Sequence, residues 1–420
     1  MKFVPYFTYT AIAAILLLNS SQSLAQSMST PYSVYGVGDI DPRTYNHNIG
    51  MGSTGLALKT TLFSSGNNPA SVAGMQRSFF MLETNGTFKS VGYSGKAITN
   101  DNKSNSDFTI KKLSLSTKLN SVWASGIGFK QYSSVNYQFQ TTKPIEGSEQ
   151  NYLIQYSGDG GLNSYYWNNA FALGKNLSLG VTSSFLSGSV NQTETITESS
   201  GNVVQSLRKD YYKQFHFDYG LIYTAAISKK WNLALGGRFA QQTKLNKERS
   251  LTVIANSDSL ISQDVIQTSS FSLPQSYGAG IAFYNKTGTT TFAADYSHDN
   301  WTSLNYKGSG WKLVNSDRFS VGAEFASFKQ TLNKTAQKRS FQLGAFINNS
   351  YLQVKNYQIN DYGITAGLTR SLNNGLLYTI GAEAGTRGTI NSNLIKENYV
   401  QLSLTLSFRD YLFSKGRKYD

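Results

Sequence analysis

The chain has 420 residues, with 27 Tyr, 24 Phe and 37 Gly, no cysteine, 15% charged residues and a formal net charge of +14. Lack of cysteine excludes a disulfide framework and a cysteine-borne lipid anchor, and the aromatic-rich, charge-poor composition favours strands over helices. A basic balance of this size would suit nucleic acid in the cytoplasm, but the export signal described next removes that partner and leaves lipid phosphates and lipopolysaccharide as counter-charges.

Lys2 precedes the apolar stretch Ala11 to Leu18, which is too short to span a bilayer, and Ser23-Leu24-Ala25 supplies small residues at the cleavage positions. Residues 1–25 are therefore expected to be a secretory signal peptide, with Gln26 the first mature residue. No long apolar run follows, so no transmembrane helix is expected.

Residues 26–77 do not alternate. A glycine-rich stretch runs from Gly50 to Leu58, and Asn67-Asn68-Pro69-Ala70 follows. Asn68 suits a helix N-cap, Pro69 the first helical position and Gly74 the end, which predicts one short helical turn.

From 78 to 408 the pattern has period two. Val400, Leu402, Leu404, Leu406 and Phe408 share one face, and Gln401, Ser403, Thr405 and Ser407 the other. About fourteen such runs are expected, near 79–89, 108–118, 122–140, 160–173, 177–192, 209–227, 231–246, 275–284, 290–298, 317–326, 340–348, 361–370, 376–387 and 398–408. Connections after even-numbered runs are short, and those after odd-numbered runs are long and polar: 90–107, 141–159, 193–208, 247–274, 299–316, 349–360 and 388–397. The one exception is 327–339, a long, lysine-bearing connection on the short side.

Alternation between lipid-facing and lumen-facing residues, with short periplasmic turns and long outer loops, is the layout of a membrane barrel. In lipid every backbone polar group needs an internal partner, so the sheet must close. The expected fold is all-β: a transmembrane antiparallel barrel of about 14 strands in the cell outer membrane, with residues 26–77 as a plug and 409–420 as a basic tail. Phe408 would be the terminal aromatic that serves assembly, although the chain continues past it.

The Met51-Gly52 glycine cluster, followed by Asn68-Pro69-Ala70 just before the first strand, resembles the FadL/TodX-type outer-membrane transporters of hydrophobic compounds. The opening Tyr32 to Asp39 and the tail ending Lys418-Tyr419-Asp420 resemble Bacteroidetes members. The resemblance implies Gly52, Gly55, Asn68, Pro69 and Ala70 as residues of a hatch inside the barrel, and a kink in the third strand that opens the wall. Gly126 and Gly128 are the expected kink positions, because glycine tolerates the backbone required. It further implies passive uptake of long-chain fatty acids or aromatic hydrocarbons, which would pass an apolar pocket above the hatch and leave sideways.

The polar face of the runs carries Lys130, His216, Asp218, Arg238, Asp295, Glu324 and Glu383. These are expected mainly to pin the plug by ion pairs; Arg238 and Lys130 are alternatively placed to meet a carboxylate ligand. His216 and Asp218, two apart on one face, are expected within hydrogen-bonding reach. No serine nucleophile pairs with them and no histidines have metal-ligand spacing, so no catalytic site, metal or cofactor is expected. Two alternatives to transport stand: a non-transporting scaffold that binds other envelope proteins in assembly, secretion or motility, and an open porin, against which the plug argues.

Overall fold

The computed structural model describes residues 30–411, apart from 65, 78, 97, 99–102, 145–150, 199–200, 257–258, 332–333 and 373–374. The expected signal peptide and the tail from 412 lie outside the described residues.

Fourteen antiparallel strands form the wall. They are β1 Phe79–Ser94, β2 Ser104–Lys118, β3 Trp123–Gln131 continued by Ser133–Pro144, β4 Asn151–Gly160 continued by Asn163–Leu173, and β5 Leu177–Thr197. Next come β6 Val203–Ala226, β7 Trp231–Ala240 continued by Thr243–Ala255, β8 Ser259–Leu273 continued by Ser276–Asn285, and β9 Thr290–Asp299. The ring is completed by β10 Ser316–Thr331, β11 Lys334–Val354, β12 Tyr357–Ser371, β13 Leu376–Gly388 and β14 Lys396–Tyr411. Each pairs with its sequence neighbours, and β14 pairs with β1 from Phe79↔Tyr411 to Ser94↔Lys396, which closes the barrel.

The period-two pattern sets the two faces. On β14, Val400 is 52% exposed and turned toward lipid, whereas Gln401 is 4% exposed and faces inward. Phe88, Ile127, Leu221, Phe292 and Leu343 continue the outer apolar band on other strands.

The runs expected from the sequence all recur, but many are longer. Much of 141–159, 193–208 and 247–274, expected as loops, is strand: β3 to β8 extend well past the apolar band on the long-loop side. The exception at 327–339 is likewise strand, with β10 and β11 paired as far as Thr331↔Lys334 after a register shift at Ser327/Phe328. Strand parity is therefore preserved, and this hairpin projects beyond the other short-side turns.

Four strands are interrupted, at Tyr132, at Gly161-Leu162, at Gln241-Gln242 and at Pro274-Gln275. In the third, Gly126 and Gly128 sit in an unbroken ladder opposite Ser116 and Ser114, so they are not where the strand breaks. Gly128 instead leaves room for the Tyr166 ring, which a β-carbon there would strike. The break falls at Tyr132, where the amides of Tyr132 and Ser133 both donate to the Leu162 carbonyl, at 2.8 and 3.1 Å. Across from it Gly161 has φ +131°, and a β-carbon there would collide with the Ser133 carbonyl.

The break has a consequence for the wall. β2 and β3 are paired only from Lys112↔Lys130 to Lys118↔Ala124. Above that level β2 keeps β1 alone, while β3 turns inward and pairs at Ser134 and Ser133 with the two-residue strand Asp39–Ile40.

Residues 30–77 fill the lumen. Three 3-10 turns, Pro31–Val34, His47–Met51 and Pro69–Gly74, mark the path from the long-loop end to the short-turn end. At the outer end, Tyr32, Val37, Tyr212, Phe271, Trp301 and Leu352 belong to one buried apolar cluster spanning plug, wall and outer loops. That cluster lies at the outer end of the lumen.

Candidate functional site

The plug rests on glycine. Gly180, Gly220, Gly236, Gly344 and Gly381, on five different strands, approach it so closely that β-carbons would strike the backbone or side chains of Ala70, Asn68, Leu56, Met51 and Ile49 respectively. Gly180 is the direct cross-strand partner of Gly220, and Gly381 that of Gly367, where a β-carbon would crowd Gln342 and Gly50. The wall is shaped to seat this particular segment.

Asn68 ties the plug to that seat. Its Oδ1 accepts from the Ala70 amide at 2.9 Å, capping the turn Pro69–Gly74. Its Nδ2 donates to the carbonyls of Leu56, Leu221 and Gly237 at 2.9, 3.1 and 3.0 Å, so one side chain joins two hatch segments to β6 and β7. Pro69 and Ala70 are buried in the same turn. Gly52 has φ +67°, donates to Thr365 Oγ1 at 2.8 Å and accepts from Arg318 at 3.0 Å. Gly55 donates its amide to Asp295 at 2.6 Å, and Leu56 does so at 2.9 Å.

Charges complete the attachment. Arg43 of the hatch lies 2.7 Å from Glu383, 2.9 Å from Asp361 and 3.2 Å from Asp41. The Tyr399 hydroxyl donates in the same cluster, at 2.7 Å from Asp361 and 2.9 Å from Glu383. Arg387 grips Asp39 through two 2.7 Å bonds, and Glu324 meets His47 at 2.9 Å. Burial raises the affinity of the Asp41 carboxyl for its proton, but Arg43 and Lys111 outweigh that and hold it below the usual carboxylate range. Buried charges satisfied in this way resist separation, because removing one partner strands the other.

The expected lumen residues thus divide. Asp295, Glu324 and Glu383 contact the hatch. Asp218 and Arg238 pair with each other on the wall, at 2.6 Å. His216 Nε2 is 3.8 Å from Asp218, beyond hydrogen-bonding reach, and Nδ1 instead meets Thr243 at 2.8 Å. Lys130 has no ion-pair partner among the described residues. Arg43, Asp39, Asp361, Arg387 and Tyr399 were not singled out from the sequence; the alternation Asp39-x-Asp41-x-Arg43 in the hatch was the available signal. Among the described residues no cluster of three or more His, Cys, Asp or Glu is arranged to hold a metal.

Between hatch and outer cluster lies a cavity of about 220 Å3. Arg43, Lys111, Lys130, Asp218, Arg238 and Arg318 are on its walls, with serine hydroxyls from several strands. The apolar pocket implied by the family resemblance is replaced at this level by a charged one.

A closed barrel of fourteen antiparallel strands, filled by an N-terminal hatch, is the fold of the FadL-type outer-membrane barrels. The chain belongs to the BamG family, whose model matches residues 8–420. It is similar to the solved P. putida toluene transporter TodX (TM-score 0.57, 13% identity, 89% of this chain and 100% of that one). A Pseudomonas aeruginosa FadL homologue gives 0.55 and 12%, covering 90% and 100%, and the CymD monoaromatic hydrocarbon channel 0.54 and 13%, covering 90% and 99%. At such identities the likeness is one of fold. No curated protein matches.

Proposed function

We propose that this barrel is a sealed scaffold in outer-membrane assembly, which binds other envelope proteins and conducts no substrate. The observation that carries the reading is the charged cavity over a pinned hatch: a hydrophobic compound crossing it would have to displace charges and hydroxyls with nothing to compensate them. The extended outer parts of β3 to β8 and the projecting β10–β11 hairpin offer surfaces on both sides of the membrane, and the BamG family membership supports an envelope role. The reading assigns the protein no catalytic reaction and no cofactor; outer-membrane lipid and lipopolysaccharide are its surroundings. The likeness of its opening and tail to Bacteroidetes members belongs to this proposal as well.

One observation favours the second reading, passive transport of fatty acids or aromatic hydrocarbons. The β2–β3 pairing ends at Lys112↔Lys130, and a gap in the wall above that pair would give an apolar molecule a sideways exit to the bilayer. Purification from native membranes in mild detergent separates the two. Stoichiometric envelope proteins are expected with the barrel; an apolar small molecule retained in the lumen, with no protein partner, would overturn the scaffold reading.

A further inference from the structure

The net charge of +14 is not spread evenly over the barrel. Exposed cations occupy every short connection from β4–β5 round to β12–β13: Lys175, Lys229 and Lys230, Lys286, Arg339 at the base of the β10–β11 hairpin, and Arg370. None of these connections contains an aspartate or a glutamate. Among the described residues, no carboxylate lies within ion-pair distance of these six side chains. Elsewhere cations are matched: Arg387 in the lumen by Asp39, and Lys213 and Arg249 on the long-side extensions by Glu248 and Asp210.

Within this rim, Arg339 and Arg370 are direct cross-strand partners on β11 and β12. Like charges directly opposite destabilise a sheet, and an anion between them removes the repulsion. Both side chains are exposed, and the alternation puts both on the lipid-facing side of the wall. The next outward pair is Phe341↔Leu368, and Leu343, Ile364 and Ile347 continue the apolar row toward the bilayer centre. Tyr378, on β13, is the partner of Arg370 on its other side. β12 ends one residue later, at Ser371. The two guanidiniums therefore stand where the apolar face stops on the short-turn side, which is the level of the inner-leaflet headgroups.

We propose that Arg339 and Arg370 bind the phosphate of an anionic phospholipid of the inner leaflet. Each planar guanidinium donates paired hydrogen bonds to phosphate oxygens, and the acyl chains run from there along Phe341, Leu368 and Ile364. The lysines of the other short connections attract further anionic headgroups by charge alone. Lipid is the ligand source this geometry selects. The cations pass most of the way round the barrel, as a surrounding leaflet requires, whereas a docked protein would cover one side. The inference is independent of whether the barrel scaffolds or transports.

The test uses the full mature chain in nanodiscs of phosphatidylcholine doped with phosphatidylglycerol, transferred to detergent, with retained lipid read by native mass spectrometry. Wild type is expected to keep phosphatidylglycerol selectively, and Arg339→Gln/Arg370→Gln to lose it at least about tenfold. Lys244→Gln/Lys307→Gln, which removes two exposed cations on the long side, should retain it as wild type does. Heat-modifiable electrophoretic mobility checks that each variant is folded. Equal retention of both lipids by wild type, undiminished retention by the folded Arg339→Gln/Arg370→Gln variant, or an equal loss from the long-side variant would overturn the proposal. So would displacement of the lipid by inorganic phosphate alone at comparable affinity. A soluble protein that binds wild type and is lost from the Arg339→Gln/Arg370→Gln variant, with no lipid selectivity in wild type, would give the rim to a protein partner instead.

Discussion

The guanidinium of Arg43, in the hatch, lies 2.7 Å from the carboxylate of Glu383, on β13 of the wall. The two are 340 positions apart in sequence, and the contact exists only because the barrel closes around its own N-terminal segment. Asp361, Asp41 and Tyr399 share that guanidinium. Arg43→Met leaves these carboxylates buried without their cation and is expected to cost roughly 3–5 kcal/mol. Denaturant unfolding of the detergent-folded barrel measures it; a loss near that of a surface arginine would remove the cluster from the list of hatch attachments.

Gly236 and Gly237 are adjacent and should behave oppositely. A β-carbon on Gly236 meets the Leu56 backbone, whereas one on Gly237 meets nothing within 4 Å. Gly236→Val is expected to unseat the hatch, giving protease sensitivity near Leu56 and stray conductance in planar bilayers. Gly237→Ala should stay within about 1 kcal/mol of wild type. Similar behaviour of the two would mean that the glycine belt is not a seat.

Asn68→Asp keeps the cap acceptor but removes the amide donor to Leu56, Leu221 and Gly237. It should destabilise by about 2 kcal/mol or more, since three carbonyls lose a donor and a charge is buried beside them. Asn68→Ser, a small residue that also caps, should do less harm than Asp. The order of the two variants in unfolding midpoint is the check, and the reverse order would contradict the proposed role of the Nδ2 group.

Acid should loosen the hatch. The Asp41 carboxyl is held below its ordinary value of 3.8, so its contribution is complete above that value and is lost as pH falls through the folded-state value. The stability gap between wild type and Asp41→Asn should accordingly be widest near neutral pH and shrink at about pH 3 and below. A gap that grew on acidification would reverse the sign of the interaction.

The wall was legible in the sequence because lipid on one side and lumen on the other impose a two-residue alternation, as Val400 to Phe408 displays. Beyond the bilayer that contrast ends. The outer part of β8, Ser259–Leu273, therefore looked like loop, since its sequence has no sustained alternation; at its inner end Phe271 and Leu273 join the buried outer cluster. The turn at Pro69 was legible because its cap and first-position signals are local. The break at Tyr132 was not: it arises from how β3 meets Leu162 across the sheet, and nearby Gly126 and Gly128, the conspicuous local signals, make room for neighbouring side chains. Charged lumen positions could be named singly, but partners such as Arg43–Glu383 depend on ring closure, which no short stretch of sequence encodes.

Uptake is the most direct discriminator. Cells that export the wild-type barrel would be compared with empty-vector cells for entry of a labelled long-chain fatty acid and a labelled monoaromatic hydrocarbon. A sealed scaffold predicts no difference for either compound. Saturable uptake of either compound above the control would contradict it.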